Sequence, residues 1–346
     1  MKRVRRIVAA AMDRRHDSSG ELAELRSMVA SQAAELERLR AVLEHRTAWL
    51  EDHDRGLRDG DARTTTVEAK QEALDSRQQV LDGWLGSHDT ALEGLHLRAG
   101  QLEAARDVRT FTHWLDRHEL TATPKISIVL PTHNRAALLP RAVASVQAQR
   151  YENWELVIVD DASADSTPKV IAGFEDPRVR SIRVAHGGVC AARNAALAEA
   201  TGEIVTYLDD DNTMHPLWLK ALAWAFGEHP EITAAYGGFV IDDIGGLPTL
   251  FLRRYDRETL LEENLADIGA VAHRAGLPEA RFDESLVEMG DWDLLLALTA
   301  ERAPLVVPAI SCYYSTTSAD RLSHGPTYDA DFAAVRRKHS GTEDRS

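Results

Sequence analysis

Between residues 126 and 226, short apolar runs alternate with amphipathic stretches, and two of the runs end in clustered carboxylates. Ile126 to Leu130, Leu156 to Val159, Val179 to Val184 and Glu203 to Leu208 are short and rich in β-branched residues, the pattern of buried strands. Helical spacing fills the gaps over Arg135 to Gln149, Thr167 to Phe174 and Val189 to Ala200, with another helix over Leu217 to Phe226. This alternation predicts an α/β fold built on a parallel sheet with helices on both faces. After Ala234 the pattern becomes mixed: Ala234 to Ile241 reads as a strand, Asp242 to Gly246 as a turn, and Trp292 to Ala300 as a Leu-rich helix.

The carboxylates sit where such a sheet binds ligands. In open α/β sheets the ligand crevice lies beyond the carboxyl ends of the strands. Asp160-Asp161-x-Ser163 follows the second run, and Asp209-Asp210-Asp211 the fourth. Three consecutive acids raise one another's pKa unless a cation sits among them. Mg²⁺ or Mn²⁺ prefers carboxylate oxygens and leaves positions open for phosphate. The bland alternative is a solvated acidic turn, which the preceding buried strand disfavours. For Asp160 and Asp161 it is an Asx-turn opening a helix. Pro131-Thr132-His133-Asn134-Arg135 is either ordinary helix capping or a base- or ribose-binding loop. Gly187-Gly188, with Arg193 one turn into a helix, permits close backbone approach, and Arg193 is either a phosphate ligand or a surface ion pair. Asp291, with Asp293 two residues on, is either a helix cap or a general base aimed at a hydroxyl.

The N-terminal third is of another kind. Residues 18–105 lack proline and hold one heptad register, with a positions at Leu22, Val29, Leu36, Leu43, Leu50, Leu57, Leu85 and Leu92. The d positions include Leu25, Leu39, Val67, Leu74, Leu81, Leu95 and Leu102, but also the polar Gln32, Arg46 and His53. The pattern predicts a coiled coil joining copies of the chain, with a break near 54–66 at Gly56, Gly60 and three threonines. Intramolecular packing of two amphipathic helices is the alternative. Residues 1–17 form a basic tip, 106–123 a linker, 124–318 the α/β domain and 319–346 a polar tail.

Bulk chemistry narrows the partners. A net charge of −15 excludes a general nucleic-acid binder. Cys190 and Cys312 are too few and too far apart for a disulfide framework or a zinc motif, which points to a reducing cytoplasm. No run reaches the length of a transmembrane helix, so membrane contact is at most peripheral, through the basic tip at the inner face.

Taken in order, the motifs resemble those of the family 2 glycosyltransferases, of GT-A fold, over residues 124–318. The matching segments are Pro131 to Arg135, Val159 to Ser163, Gly188 to Asn194, Leu208 to Asp211, and Phe282 to Leu286 followed by Gly290 to Leu294. The resemblance implies that Thr132 and Asp160 contact the donor base, and that Asn134, Arg135, Asp161 and Asp210 surround the donor. It implies further that Arg193 faces the diphosphate and that Asp209 and Asp211 bind Mn²⁺ or Mg²⁺, with Asp211 nearest the metal. Asp291 would be the catalytic base. The reaction would be an inverting, non-processive transfer from a nucleotide-sugar, a UDP-sugar, to a glycan or lipid-linked acceptor in cell-surface glycan or polysaccharide biosynthesis. The pattern departs at Gly290, where the family has Glu, at His186, where it often has Asn, and at Ala297, where an arginine is often found. Glu288 is a candidate substitute for the missing Glu, and His324 a candidate third metal ligand. The Gly290 departure keeps open a second reading, a catalytically silent GT-A-like scaffold acting through its coiled coil.

Overall fold

The computed structural model describes residues 61–244, 247–314 and 327–339, with scattered helical positions from 34 to 47. The basic tip, most of the first heptads, the start of the expected break and His324 lie outside the described residues. The chain divides into two compact units, one running from Met12 to Glu103 and the other containing Ala104–Ser346.

Helix α1 (Asp61–Arg117) runs through the boundary between these units. The segment expected as a linker from 106 is therefore helical as far as Arg117, for two reasons. No proline interrupts it before Pro124, and Val108, Phe111 and Leu115 recur at helical spacing and are buried. Phe111 and Trp114 pack edge-on against Trp224, with ring centroids 4.9 and 5.6 Å away. Within the other unit, Val80, Leu81 and Trp84 are exposed, as is Leu102 near its end.

The second unit is the α/β domain. Its strands are β1 (Ile126–Thr132), β2 (Trp154–Asp161), β3 (Val179–Val184), β4 (Ile204–Tyr207), β5 (Thr213–Met214), β6 (Ala234–Ile244), β7 (Leu247–Phe251), β8 (Val271–Arg274) and β9 (Leu305–Tyr314). They form one sheet in the order β3-β2-β1-β4-β8-β6-β9-β5, with β7 paired to β6. The first four pair parallel with one another. β8 runs antiparallel between β4 and β6, and β9 pairs parallel with β6. Of the connections in this half, the one from β6 to β7 is too short for the crossover of a dozen or more residues that a parallel pairing needs, and these two strands pair antiparallel.

Alternate side chains of β1 serve two cores, as the two-residue repeat of a strand requires. Ile126, Ile128 and Leu130 face a core with helices α2 (Leu139–Gln147) and α5 (Trp218–Glu228). Val129 faces the opposite core with α4 (Gly188–Glu199) and α7 (Gly290–Leu298). Two short helices, α3 (Thr167–Ile171) and α6 (Arg257–Glu262), complete the layers. The polar tail holds one more helix, α8 (Tyr328–His339), whose Phe332 stacks on Trp292 at 4.9 Å and whose Val335 is buried. Composition hid this helix because only a narrow apolar stripe is needed to dock it.

Candidate active site

The acid clusters Asp160-Asp161 and Asp209 to Asp211 fall at the carboxyl ends of β2 and β4, and Asp291 lies in the first turn of α7. Thr132, the last residue of β1, donates its hydroxyl to Asp210 at 2.7 Å. Asp210 is therefore turned back against β1, and burial pushes its carboxyl up to about 7 despite this bond. Its neighbours Asp209 and Asp211 are more accessible. Asp209 accepts from Arg193 at 2.7 Å, and the backbone carbonyl of Asp211 accepts from Arg141 at 2.5 Å.

The β1 and β2 ends are knotted together by polar side chains. Asn134 and Ala162 both adopt left-handed backbone, at φ 55° and 59°. Short polar residues tolerate this conformation best, while alanine incurs a cost there. The Asn134 carboxamide oxygen accepts from Ala164 N at 2.7 Å and Asp165 N at 3.2 Å, and Asn134 N donates to Ser163 Oγ at 2.9 Å. Arg135 N donates to Thr167 Oγ1 at 3.0 Å. Asp160 accepts from Ser163 N at 2.9 Å and from Arg183 at 2.7 Å. Asp161 accepts from Gly187 N at 2.8 Å and Gly188 N at 3.0 Å, tying β2 to the turn that opens α4. Gly188 needs its freedom, since its φ is +85°.

Arg193 is buried on α4, with its guanidinium 5.2 Å over the Phe282 ring. Its Nε is buried without a hydrogen-bond partner among the described residues. Asp291 lies in the first turn of α7, where its carboxylate accepts from Trp292 N at 2.8 Å and from the Asn264 side chain at 2.9 Å. Burial raises its pKa and the Asp209 charge adds to this, against the lowering effect of Arg193 and the Trp292 amide. The same charges converge on Asp267, whose pKa burial, Asp209 and Asp291 push up to about 8. Asp267 and Asn264 carried no recognisable sequence signal: both lie in the segment before β8 and are brought to the site only by the chain path.

The chemistry of this donor set fits a divalent cation. Asp209 and Asp211 offer oxygen ligands of the kind Mg²⁺ and Mn²⁺ take, with Asp209 Oδ1 engaged by Arg193, and a cation would offset the acidic charge that adds to burial in raising the pKa values of Asp267 and Asp210.

Comparison with known proteins places this arrangement. The profile described as Glycosyl transferase family 2 matches residues 127–277. The succinoglycan biosynthesis protein ExoO of Rhizobium meliloti (strain 1021) is 32% identical over 239 residues, covering 62% of this chain and 69% of that protein. The chain belongs to glycosyl transferase family 2. It is a glycosyltransferase on that ground, with the GT-A fold. The crystal structure of residues 1–349 of S. aureus TarS, in complex with UDP-GlcNAc, shares the fold at a TM-score of 0.55 and 20% identity, covering 62% of this chain and 65% of that one. A shorter match links the glycosyltransferase domain to the GalNAc(5)-diNAcBac-PP-undecaprenol beta-1,3-glucosyltransferase of Campylobacter jejuni (subsp. jejuni serotype O:2, strain ATCC 700819 / NCTC 11168). It is 36% identical over 132 residues, 37% of this chain and 42% of that protein.

Within this glycosyltransferase domain, Glu288 does not stand in for the Glu that Gly290 replaces. Its carboxylate is turned to the start of α8, accepting from Thr327 N at 3.2 Å and Thr327 Oγ1 at 2.6 Å. Helix α8 also grips the loop before Asp291 through Asp331, which accepts from Val287 N and Glu288 N, each at 2.8 Å. Asp293, the second acid of that motif, is buried and faces Lys338 at 2.8 Å and His339 at 2.7 Å rather than the cleft.

Proposed function

We propose that the chain catalyses an inverting, divalent-metal-dependent transfer of a sugar from a UDP-sugar to an acceptor hydroxyl in cell-surface polysaccharide assembly. The observation that carries this reading is the convergence of Asp291, Arg193 and Asp209 at the carboxyl edge of the sheet. Succinoglycan biosynthesis in the name of one relative, undecaprenol in that of another and UDP-GlcNAc in the TarS complex support the substrate class.

Asp291 acts as general base. A carboxylate whose affinity for protons is raised by burial is better matched to taking a proton from a hydroxyl. Asn264 holds that carboxylate in place from the loop before β8. Asp209 and Asp211 are the residues that hold Mn²⁺ or Mg²⁺, and the ion when bound offsets the charge of the donor diphosphate. Arg193, fixed by Asp209, supplies a second positive charge beside it. Thr132, Asn134, Arg135, Asp160, Asp161 and Asp210 line the donor side, where their mutual hydrogen bonds preorganise the two loops.

The acceptor is a lipid-linked glycan met at the inner face of a membrane. Among the described residues no helix is long and apolar enough to cross one. Residues 18–105 join copies of the chain: Leu81 and Leu102, both d positions of the heptad register, are 37% and 50% exposed.

Calorimetric titration of UDP and of GDP, with and without Mn²⁺, tests the donor site. The expected result is Mn²⁺-dependent UDP binding that Asp211→Ala abolishes. Binding of neither nucleotide under any metal condition would favour the silent scaffold.

A further inference from the structure

A second cluster of metal-ligand type lies at the ends of β1 and β2, apart from Asp209 and Asp211. It consists of His133, Asp161 and His186. One ring nitrogen of each histidine and a carboxylate oxygen of Asp161 lie within 4.8 Å of one another. The imidazole rings stack with centroids 4.6 Å apart and planes inclined at 29°. Neither histidine belongs to the family motifs: His133 fills the free position of Pro-Thr-x-Asn-Arg, and His186 stands where Asn is frequent.

The hydrogen bonds set the tautomer of each ring, and an ion at His133 Nε2 would replace the bond from the Asn134 side chain. His133 Nδ1 lies 2.5 Å from the Asp161 backbone carbonyl, which can only accept, so Nδ1 carries the proton. His133 Nε2 is then the basic nitrogen and accepts from the Asn134 side chain at 2.8 Å. A ligating histidine is commonly oriented by such a bond from its other nitrogen to a carbonyl. His186 Nδ1 lies 2.9 Å from Asp161 Oδ2, so its Nε2 is likewise basic. The carboxylate is itself held by Gly187 N and Gly188 N. Two imidazoles and one carboxylate suit Zn²⁺ and its transition-metal neighbours, whereas an oxygen-only set suits Mg²⁺ and Mn²⁺. His186 is exposed, its side chain 63% accessible, so its ring has room to turn Nε2 toward the cluster, exchanging its bond to Asp161 Oδ2 for a shared ion.

We propose that His133, Asp161 and His186 bind a Zn²⁺-class ion, and that this ion competes with the nucleoside of the donor. The competition rests on the donor reading above, which places the base beside Thr132 and Asp160. A zinc ion there would make donor binding sensitive to zinc, independently of the ion at Asp209 and Asp211.

Calorimetry with the full chain under saturating Mg²⁺ tests the cluster without any nucleotide. Zn²⁺ is titrated into the wild type, His133→Ala, His186→Ala and Asp211→Ala. The expected result is one Zn²⁺ site that each histidine variant weakens by more than about tenfold and that Asp211→Ala retains. Equal binding in wild type and both histidine variants, or no Zn²⁺ binding at all, overturns the proposal. Uridine, which lacks phosphates to chelate zinc, is then titrated with and without Zn²⁺. Weaker uridine binding in zinc supports competition, and unchanged binding overturns it. Uridine binding to the zinc-free protein reports on the donor reading by itself.

Discussion

Cys190 occupies the space that any side chain at position 290 would need. A Cβ placed on Gly290 would lie 2.6 Å from Cys190 Sγ and 3.5 Å from the Phe282 ring. Gly290 and the buried thiol on α4 are a matched pair: with Cys190 in place, no side chain fits at 290 without a shift. Gly290→Ala is expected to lower stability by about 1–3 kcal/mol through overpacking, and Cys190→Ala in the same chain to restore most of it. Denaturant unfolding of both variants and the double variant measures this, and additive losses would count against the pairing.

Asp291→Asn retains the Trp292 amide bond but cannot take a proton. Turnover is expected to fall by about 10²–10⁴-fold, with UDP binding unchanged in calorimetry. An equal loss in donor binding would remove Asp291 from the role of base.

Lys338 pairs with Asp293 at 2.8 Å and His339 lies 2.7 Å from its other oxygen, and Asp293 is only 1% exposed. Removing both by Lys338→Ala and His339→Ala strands a buried carboxylate, at a cost of about 3–5 kcal/mol. Adding Asp293→Asn to that pair is expected to recover part of the loss, because the stranded charge is gone. Thermal unfolding of the three chains decides it.

Glu155 provides a stability term that depends on pH. Burial alone would raise its pKa, but hydrogen bonds from Ser127, Thr201 and Lys125 outweigh that and bring it down to about 2. A carboxylate with a depressed pKa stabilises the fold above its unfolded value near 4.3, and that stability is lost as pH falls toward about 2. Glu155→Gln is therefore expected to flatten the acid limb of the stability curve, which urea midpoints between pH 3 and pH 7 would show.

The repeat of strand and helix from Ile126 to Phe226 was legible because β1, β2 and β4 are buried and mostly apolar runs, while the partly exposed β3 alternates apolar and polar residues as Val-Arg-Ser-Ile-Arg-Val. The strand Val179–Val184 matches its expected limits, and β1 and β2 extend only a residue or two beyond theirs. Helix α8 and the helical stretch of 106–117 were not legible, because each docks through a few apolar residues within a polar composition. Asn264 and Asp267 were invisible for a different reason. Their importance lies in proximity to Asp291 and Asp209, and proximity across a loop leaves no periodic trace.

The sequence by itself determined the α/β alternation, the acidic ends of β2 and β4, and the family. These are local patterns, written in residue order and spacing. Only the tertiary structure decided which acids face the cleft and which turn inward. Asp210 is drawn to Thr132 and Asp293 to Lys338 and His339, while Asp209 and Asp291 converge on Arg193. Adjacent acids of the same kind are separated by what each meets after the chain has folded, because burial and the nearest charge, not residue type, set the role of a carboxylate.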